Sequence, residues 1–274
     1  MSAIDFTGSR VVVTGGASGV GAALLDVLDE LGKPEVIVLD ISEPTGPHTT
    51  FIQTNLSNRA AIDAAVAQID GPINALFNNA GVADTSQREI VLAVNLLAPI
   101  YLTDALLPKI VEGGSVTTTA SIAGMAWQKR LAEHLELLAQ DGWDAKSAWL
   151  DGRDLGVDTY GFTKETMQVW TMRDATRLRA SGVRINSVCP SPIDTPLVKD
   201  FFETLGEDGM NFSIHHAGGR MVSGREVAML LAYLGSSAAA FVSGQNIDID
   251  NGFRASLVTG MLDSSAVRKA SGRE

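Results

Sequence analysis

Short β-branched runs alternate along this chain with longer stretches of helical periodicity. Arg10 to Thr14 (RVVVT), with three successive valines, reads as a buried strand. Gly19 to Gly32 carries Leu24, Leu25, Leu28 and Leu31 at helical spacing. Glu35 to Ile41 predicts a second strand and Thr50 to Thr54 a third. Ser57 to Ile69 predicts a helix with Ser57 as its N-cap. Ile73 to Phe77 predicts a fourth strand. Gln87 to Val111 predicts a long helix with irregularities at Pro99 and Pro108. Ser115 to Ala120, Arg184 to Cys189 and Asn246 to Asp250 supply further strands, with a helix before Arg184 and another over Arg225 to Leu234. This alternation implies an α/β fold, a doubly wound parallel sheet with helices on both faces, in one unit over 1–262. Ligands of such sheets sit at the carboxyl ends of the strands. The polar stretch 263–274 is expected to fray.

Composition narrows the function. The chain has 274 residues, and its 45% hydrophobic content suits one large packed core. A net charge of −11 argues against nucleic acid or an anionic membrane as partner, since both need a basic footprint. The single cysteine, Cys189, permits no internal disulfide. No basic segment followed by an apolar run opens the chain, so the expected location is the cytoplasm. His48, His134, His215 and His216 share no metal-ligand spacing, and no metal is expected.

Two local patterns carry chemistry. Thr14-Gly15-Gly16-Ala17-Ser18-Gly19-Val20-Gly21 joins the first strand to the first helix, where a pyrophosphate would meet a helix N-terminus. Gly15 and Gly19 suit a tight turn, and Gly21 suits close helix packing. Asp40 ends the second strand about 20 residues further on, placed to accept hydrogen bonds from adenosine ribose hydroxyls and to repel a 2′-phosphate. Those residues favour NAD over NADP. Further along, Tyr160 alone among the tyrosines has a lysine, Lys164, four residues later on a shared helix face. A cation there lowers the pKa of a phenol, suiting it to take a proton from an alcohol.

With TGGASGVG at 14–21, NNAG at 78–81, Asn95 in VNLLAP, Ser121 after the fifth strand, YGFTK at 160–164 and PSPIDTP at 190–196, the chain resembles the short-chain dehydrogenase/reductase family over nearly its whole length. The resemblance implies a Rossmann fold and an NAD-dependent interconversion of a hydroxyl and a carbonyl. By it, Tyr160 is the general base or acid, and Lys164 lowers its pKa and binds the nicotinamide ribose. Ser121 holds the substrate oxygen, and Asn95 holds a water that relays protons from Lys164. Asn79, Ala80 and Gly81 line the adenosine side. Pro190, Ile193 and Thr195 border the nicotinamide, and Ser18 and Val20 complete the phosphate loop. Asn55 and Leu56 fall at the adenine, where Asn55 can accept a bond from the adenine amine through its side-chain carbonyl. Taken singly, each has a plainer reading: Ser121 as a cap, Asn95 as packing beside Pro99, Tyr160 and Lys164 as a surface pair.

The stretch between Ser121 and Tyr160 exceeds the family's usual length, implying an insertion at about 125–150. MAWQKRLAEHLELLAQ reads as a helix with Trp127, Leu131, Leu135 and Leu138 on one face. This architecture is similar to the subgroup of 3α-hydroxysteroid dehydrogenase/carbonyl reductase and coniferyl-alcohol dehydrogenase. The insertion is expected either to alter a contact between subunits of a homo-oligomer, dimer or tetramer, or to cover its own domain. The substrate loop at about 195–223 carries Leu197, Phe201, Phe202, Leu205, Met210, Phe212 and Met221, suiting a bulky apolar small molecule. A hydroxysteroid-like secondary alcohol is the first expectation. An aromatic primary alcohol is the second, and a catalytically silent NAD-binding protein is the competing class.

Overall fold

The computed structural model describes residues 4–263; the 264–274 part of the expected tail lies outside them. Strand β1 (Arg10–Thr14) leads through α1 (Gly19–Glu30) to β2 (Glu35–Asp40), then β3 (Thr50–Gln53), α2 (Arg59–Gln68) and β4 (Ile73–Asn78). A continuous helical run follows: α3 (Arg88–Leu92), a π turn (Ala93–Leu97) and α4 (Ala98–Leu106), which hands over to β5 (Ile110–Thr119). Next come α5 (Leu131–Ala139), α6 (Gly142–Leu150), the long α7 (Thr159–Arg179) and β6 (Arg184–Pro190). The chain ends with β7 (Ile193–Asp194), α8 (Val198–His216), β8 (Val222–Ser223), α9 (Gly224–Gly235), β9 (Asn246–Ile249) and α10 (Phe253–Val258).

Seven strands form one parallel sheet in the order β3-β2-β1-β4-β5-β6-β9. The chain steps outward from β1 to β3, then returns to the other side of β1 with β4. The loops after β1 and β4 therefore diverge and open a crevice at the carboxyl ends. Both sheet faces are covered, which is why the strands read as apolar runs. Val12, Ile37, Leu76 and Val116 pack with α2, α4 and α7 on one face. Val11, Val13, Val38 and Phe77 pack with α1 and α9 on the other.

Several expectations change in detail. Asn58, not Ser57, caps α2 by accepting from Ala61 N–H, because Asn55 already holds both polar groups of Ser57. The helix expected over Gln87 to Val111 is broken by the π turn and ends before Ile110. Pro99 lacks the N–H that the Asn95 carbonyl would receive four residues on, so the ladder widens just before it. The run Arg88–Lys109 is long and apolar enough to cross a membrane by length and composition, yet 67% of its apolar window is buried inside the fold.

The insertion folds as a 3-10 turn (Trp127–Arg130) followed by α5 and α6. Its buried face is not the expected one. His134, Leu137 and Leu138 face inward, while Leu131 and Leu135 are 38% and 40% exposed. A polar residue stands in the centre of the buried stripe because it meets a buried carboxylate on α7, and hydrophobic spacing alone could not register that. Leu137, Leu138, Trp149 and Leu150 join the same core as Phe162, Met167 and Trp170 of α7, so the insertion covers its own domain. Every residue of α7 from Gly161 to Thr171 is buried. The expected substrate loop is mostly helical, in α8, with a break at Gly206.

Candidate active site

The β1–α1 loop is shaped by close approach. Gly15 and Gly19 hold positive φ values of 71° and 55°. A Cβ at Gly21 would stand 1.8 Å from the Gly15 carbonyl, so only glycine lets α1 start here. Ser18 precedes α1 without a side-chain cap, leaving the first N–H groups of the helix facing the crevice. That is the donor set a pyrophosphate needs, so the loop fits a dinucleotide. Thr14, the first residue of the loop, ties it to β4: its hydroxyl accepts from Asn79 N–H at 3.0 Å and Ala80 N–H at 3.1 Å. Asn79 in turn donates to the Gly15 carbonyl at 3.1 Å.

At the adenosine end, Asp40 accepts from Ala17 N–H at 2.9 Å and Ser42 N–H at 3.2 Å, which fixes its carboxylate beside the glycine loop. A carboxylate offers about four lone-pair sites, so it keeps acceptor capacity for ribose hydroxyls. Asn55 differs from expectation. Its side-chain carbonyl already accepts from Ser57 N–H at 3.0 Å and the Ser57 hydroxyl at 2.8 Å. Both lone pairs are used, and no acceptor on that oxygen is left for an adenine amine.

The remaining predicted residues converge on one cavity of about 990 Å³. It is lined by Gly15, Ser18, Gly19, Val20, Asp40, Asn55, Leu56 and Asn79–Gly81 at one end, and by Ser121, Tyr160, Lys164, Pro190, Ile193 and Thr195 at the other. Asn95 is buried just behind this wall. Its amide donates to the Val82 carbonyl at 2.8 Å and accepts from Val82 N–H at 2.9 Å. With the side chain spent on Val82, a relay water would have the Asn95 main-chain carbonyl, the one that Pro99 leaves without its usual donor.

Tyr160 sits in the first turn of α7. Asp84, missed in the sequence, accepts its N–H with both oxygens at 2.9 and 3.1 Å, and Asp158 caps the helix through Gly161 N–H at 2.6 Å. Ser121 caps the following turn, its hydroxyl accepting from Ala123 N–H at 3.1 Å, and it stands near enough to the Tyr160 phenol to lower its pKa. Its carbonyl is held by Gln168 Nε2 at 2.8 Å. Phe201 of α8 packs edge-on to the Tyr160 ring at 4.9 Å.

Lys164 donates to the Thr119 carbonyl at 2.9 Å and lies 5.3 Å from the Tyr160 ring centre. Burial pushes its ammonium down to about 8. In the protein alone, burial holds the Tyr160 phenol above the usual tyrosine range; Ser121 opposes this, and the Asp158 and Asp84 charges add to it. Cys189 is buried below the site at the end of β6, with its thiol pushed up to about 12 by burial. That matches a packing role. Among the described residues no cluster of His, Cys, Asp or Glu is arranged to hold a metal ion.

Apolar walls complete the cavity. Leu197, Phe201, Leu205, Met210 and Phe212 line it, whereas Phe202 and Met221 do not. Met125, Ala126, Lys129 and Arg130 bring the beginning of the insertion to the same space.

Known proteins share this fold. The short chain dehydrogenase profile matches residues 9–132, and the Enoyl-(Acyl carrier protein) reductase profile matches residues 154–254. Neither spans 133–153, where most of the inserted helices lie. The coniferyl-alcohol dehydrogenase of Pseudomonas sp. (strain HR199 / DSM 7063) is 33% identical over 257 residues, covering 93% of this chain and 100% of that protein. The crystal structure of the 3-alpha-hydroxysteroid dehydrogenase from Pseudomonas sp. B-0831, complexed with NADH, superposes with a TM-score of 0.75 at 26% identity, covering 93% of this chain and 100% of that one. The aldohexose dehydrogenase of Thermoplasma acidophilum shares the fold, with a TM-score of 0.71 at 24% identity and coverage of 92% and 96%. Fold, crevice and full-length similarity together make this chain a member of the short-chain dehydrogenase/reductase family, an oxidoreductase family that binds nicotinamide dinucleotides.

Proposed function

We propose that this protein is an NAD-dependent dehydrogenase that interconverts a hydroxyl and a carbonyl on a bulky apolar substrate, with a hydroxysteroid-like secondary alcohol as the leading class. The observation that carries this reading is Ser121, Tyr160 and Lys164 meeting in one cavity whose outer wall is the apolar face of α8. The N-terminus of α1, Asp40, Asn79–Gly81, Ile193 and Thr195 would hold the dinucleotide. When bound, the nicotinamide supplies the hydride acceptor or donor.

The chain's own residues manage the proton. Ser121 fixes the substrate oxygen beside the phenol. Tyr160, ionised when Lys164 and the positive ring of an oxidised nicotinamide both stand beside it, would take the hydroxyl proton in oxidation and return it in reduction. Lys164, with a pKa near the operating range, exchanges charge with the solvent side through a water at the Asn95 carbonyl. Asp40 beside the glycine loop favours NAD, because a 2′-phosphate would meet a fixed carboxylate. An aromatic primary alcohol is the second reading, favoured by the full-length similarity to a coniferyl-alcohol dehydrogenase. We further propose that the enzyme works in the cytoplasm as a homo-oligomer of two or four copies; the exposed Phe241, Val258 and Met261 support self-association, measurable by light scattering.

The test is NADH and NADPH formation, followed by absorbance, across a panel of sterols and aryl alcohols. Turnover with NAD well above NADP is expected. Tight NAD binding with no turnover of any alcohol would favour the silent binder instead.

A further inference from the structure

The wall of the cavity built by the insertion contains a charged device that the proton chemistry does not use. Arg130, at the end of the 3-10 turn, and Glu165, next to Lys164 on α7, both line the cavity. Arg130 Nε donates to Glu165 Oε2 at 3.0 Å, and Nη2 reaches Oε1 and Oε2 at 2.6 and 2.7 Å. Behind them His134 Nε2 meets Glu165 Oε2 at 3.1 Å. That oxygen offers only lone pairs to this ring, so Nε2–H donates whether His134 is neutral or charged. His134 Nδ1 meets the Thr166 hydroxyl at 3.0 Å, and that hydroxyl lies 2.9 Å from the Phe162 carbonyl. Glu165, His134 and Thr166 are all buried.

This succession of contacts ends at one free edge. A guanidinium has five N–H donors. Nε and Nη2 are committed to Glu165, while Nη1 makes no hydrogen bond among the described residues. Nη1 faces the loop at Gly156, where an added Cβ would stand 4.0 Å away. Lys129, adjacent and exposed, lines the same cavity and has no ion pair among the described residues. Three acids line the same cavity: Asp84 and Asp158, which accept the first N–H groups of α7, and Asp200 on α8. Burying an ion pair is often worse for stability than apolar packing of the same volume. Glu165 nevertheless holds the guanidinium, backed by His134 and Thr166, and leaves the Nη1 edge at the cavity wall beside Gly156.

We propose that Arg130 is a substrate-binding residue that takes the carboxylate of an apolar hydroxy acid or oxo acid through Nη1, with Lys129 adding long-range attraction. Glu165, His134 and Thr166 are the residues that position it. The proposal deepens, and rests on, the alcohol-dehydrogenase reading. Tyr160 and Glu165 are separated along α7 by about 7.5 Å of helix rise, so the acid group and the reacting carbon belong to opposite ends of the substrate.

The test uses two pairs of probes that differ only in the acid: lithocholate and its methyl ester, and para-acetylbenzoate and its methyl ester. Calorimetric binding to the NADH-loaded protein and steady-state kinetics are measured for wild type, Arg130→Gln and Arg130→Lys. Lysine keeps a cation beside Glu165 and guards against misfolding, but one ammonium lacks the fork that serves both carboxylates. In wild type at least one acid should bind about 10- to 100-fold more tightly than its ester, expressed in KM rather than kcat. That preference should collapse in Arg130→Gln and shrink in Arg130→Lys, with the esters unchanged, and should weaken as salt rises. Equal binding of acid and ester in both pairs, or a preference that survives in Arg130→Gln, overturns the proposal. Ester turnover without acid preference sinks this inference alone. Acid preference in binding with no turnover of any probe sinks the dehydrogenase reading alone.

Discussion

Lys164 and Glu165 are neighbours on α7, and both are almost fully buried, at 4% and 1% exposure. The fold treats their charges in opposite ways. They point about 100° apart around the helix, so one faces the crevice and the other the insertion. Glu165 receives a forked guanidinium and an imidazole. Lys164 receives one carbonyl and no carboxylate, and its ammonium is pushed down to about 8 as a result. A compensated buried charge holds structure together. An uncompensated one stores a perturbed pKa, which is what proton transfer requires.

This contrast is open to experiment. Tyr160→Phe should lower kcat by about 10²- to 10⁴-fold while leaving the urea unfolding midpoint in place, because the crevice face of α7 serves chemistry. A Tyr160→Phe variant with full dehydrogenase activity would overturn the proposed mechanism. Glu165→Ala should do the reverse in kind. It strands Arg130 and His134 without their anion and should cost about 3–5 kcal/mol in denaturant unfolding. If the loss were below 1 kcal/mol, Glu165 would not be the clasp described.

Lys164→Met should slow turnover yet raise stability near pH 7, since it removes an ammonium that burial disfavours. The direction with pH follows from linkage. Between about pH 8 and the ordinary lysine range, the folded protein binds fewer protons at Lys164 than the unfolded chain does, so this group's contribution to stability rises with pH. The advantage of the variant over wild type should therefore be largest below about pH 8 and fade above it; an advantage that grew with pH would contradict the assignment. The smallest effect belongs to Thr166→Val, which removes the hydroxyl that meets His134 and the Phe162 carbonyl and should cost about 0.5–1.5 kcal/mol per hydrogen bond lost, with kcat unchanged.

Much of this molecule could be read from residue spacing. The strand runs of β1, β2, β4 and β6, the glycine loop and the Tyr160–Lys164 pair are local signals, and the structure brings Ser121, Tyr160 and Lys164 to one cavity with the phosphate loop. Helix α7 gave only a weak pattern because it is enclosed on nearly all sides, leaving no polar stripe to set its phase. Asn55 was misjudged for a different reason. Its carbonyl is used up two residues away, and which of its possible partners it takes depends on the turn it adopts.

By itself, the sequence determined the parallel sheet, the glycine loop of the crevice and the Tyr160–Lys164 pairing on one helix, because strand burial, glycine geometry and i to i+4 placement are properties of short segments. Only the tertiary structure decided that α5 turns His134 inward, that Glu165 lies against Arg130, and that burial raises the Tyr160 phenol. Those outcomes depend on which distant groups share a dry space. Desolvation and pairing energies are set there by neighbours far away along the chain, so no local pattern encodes them.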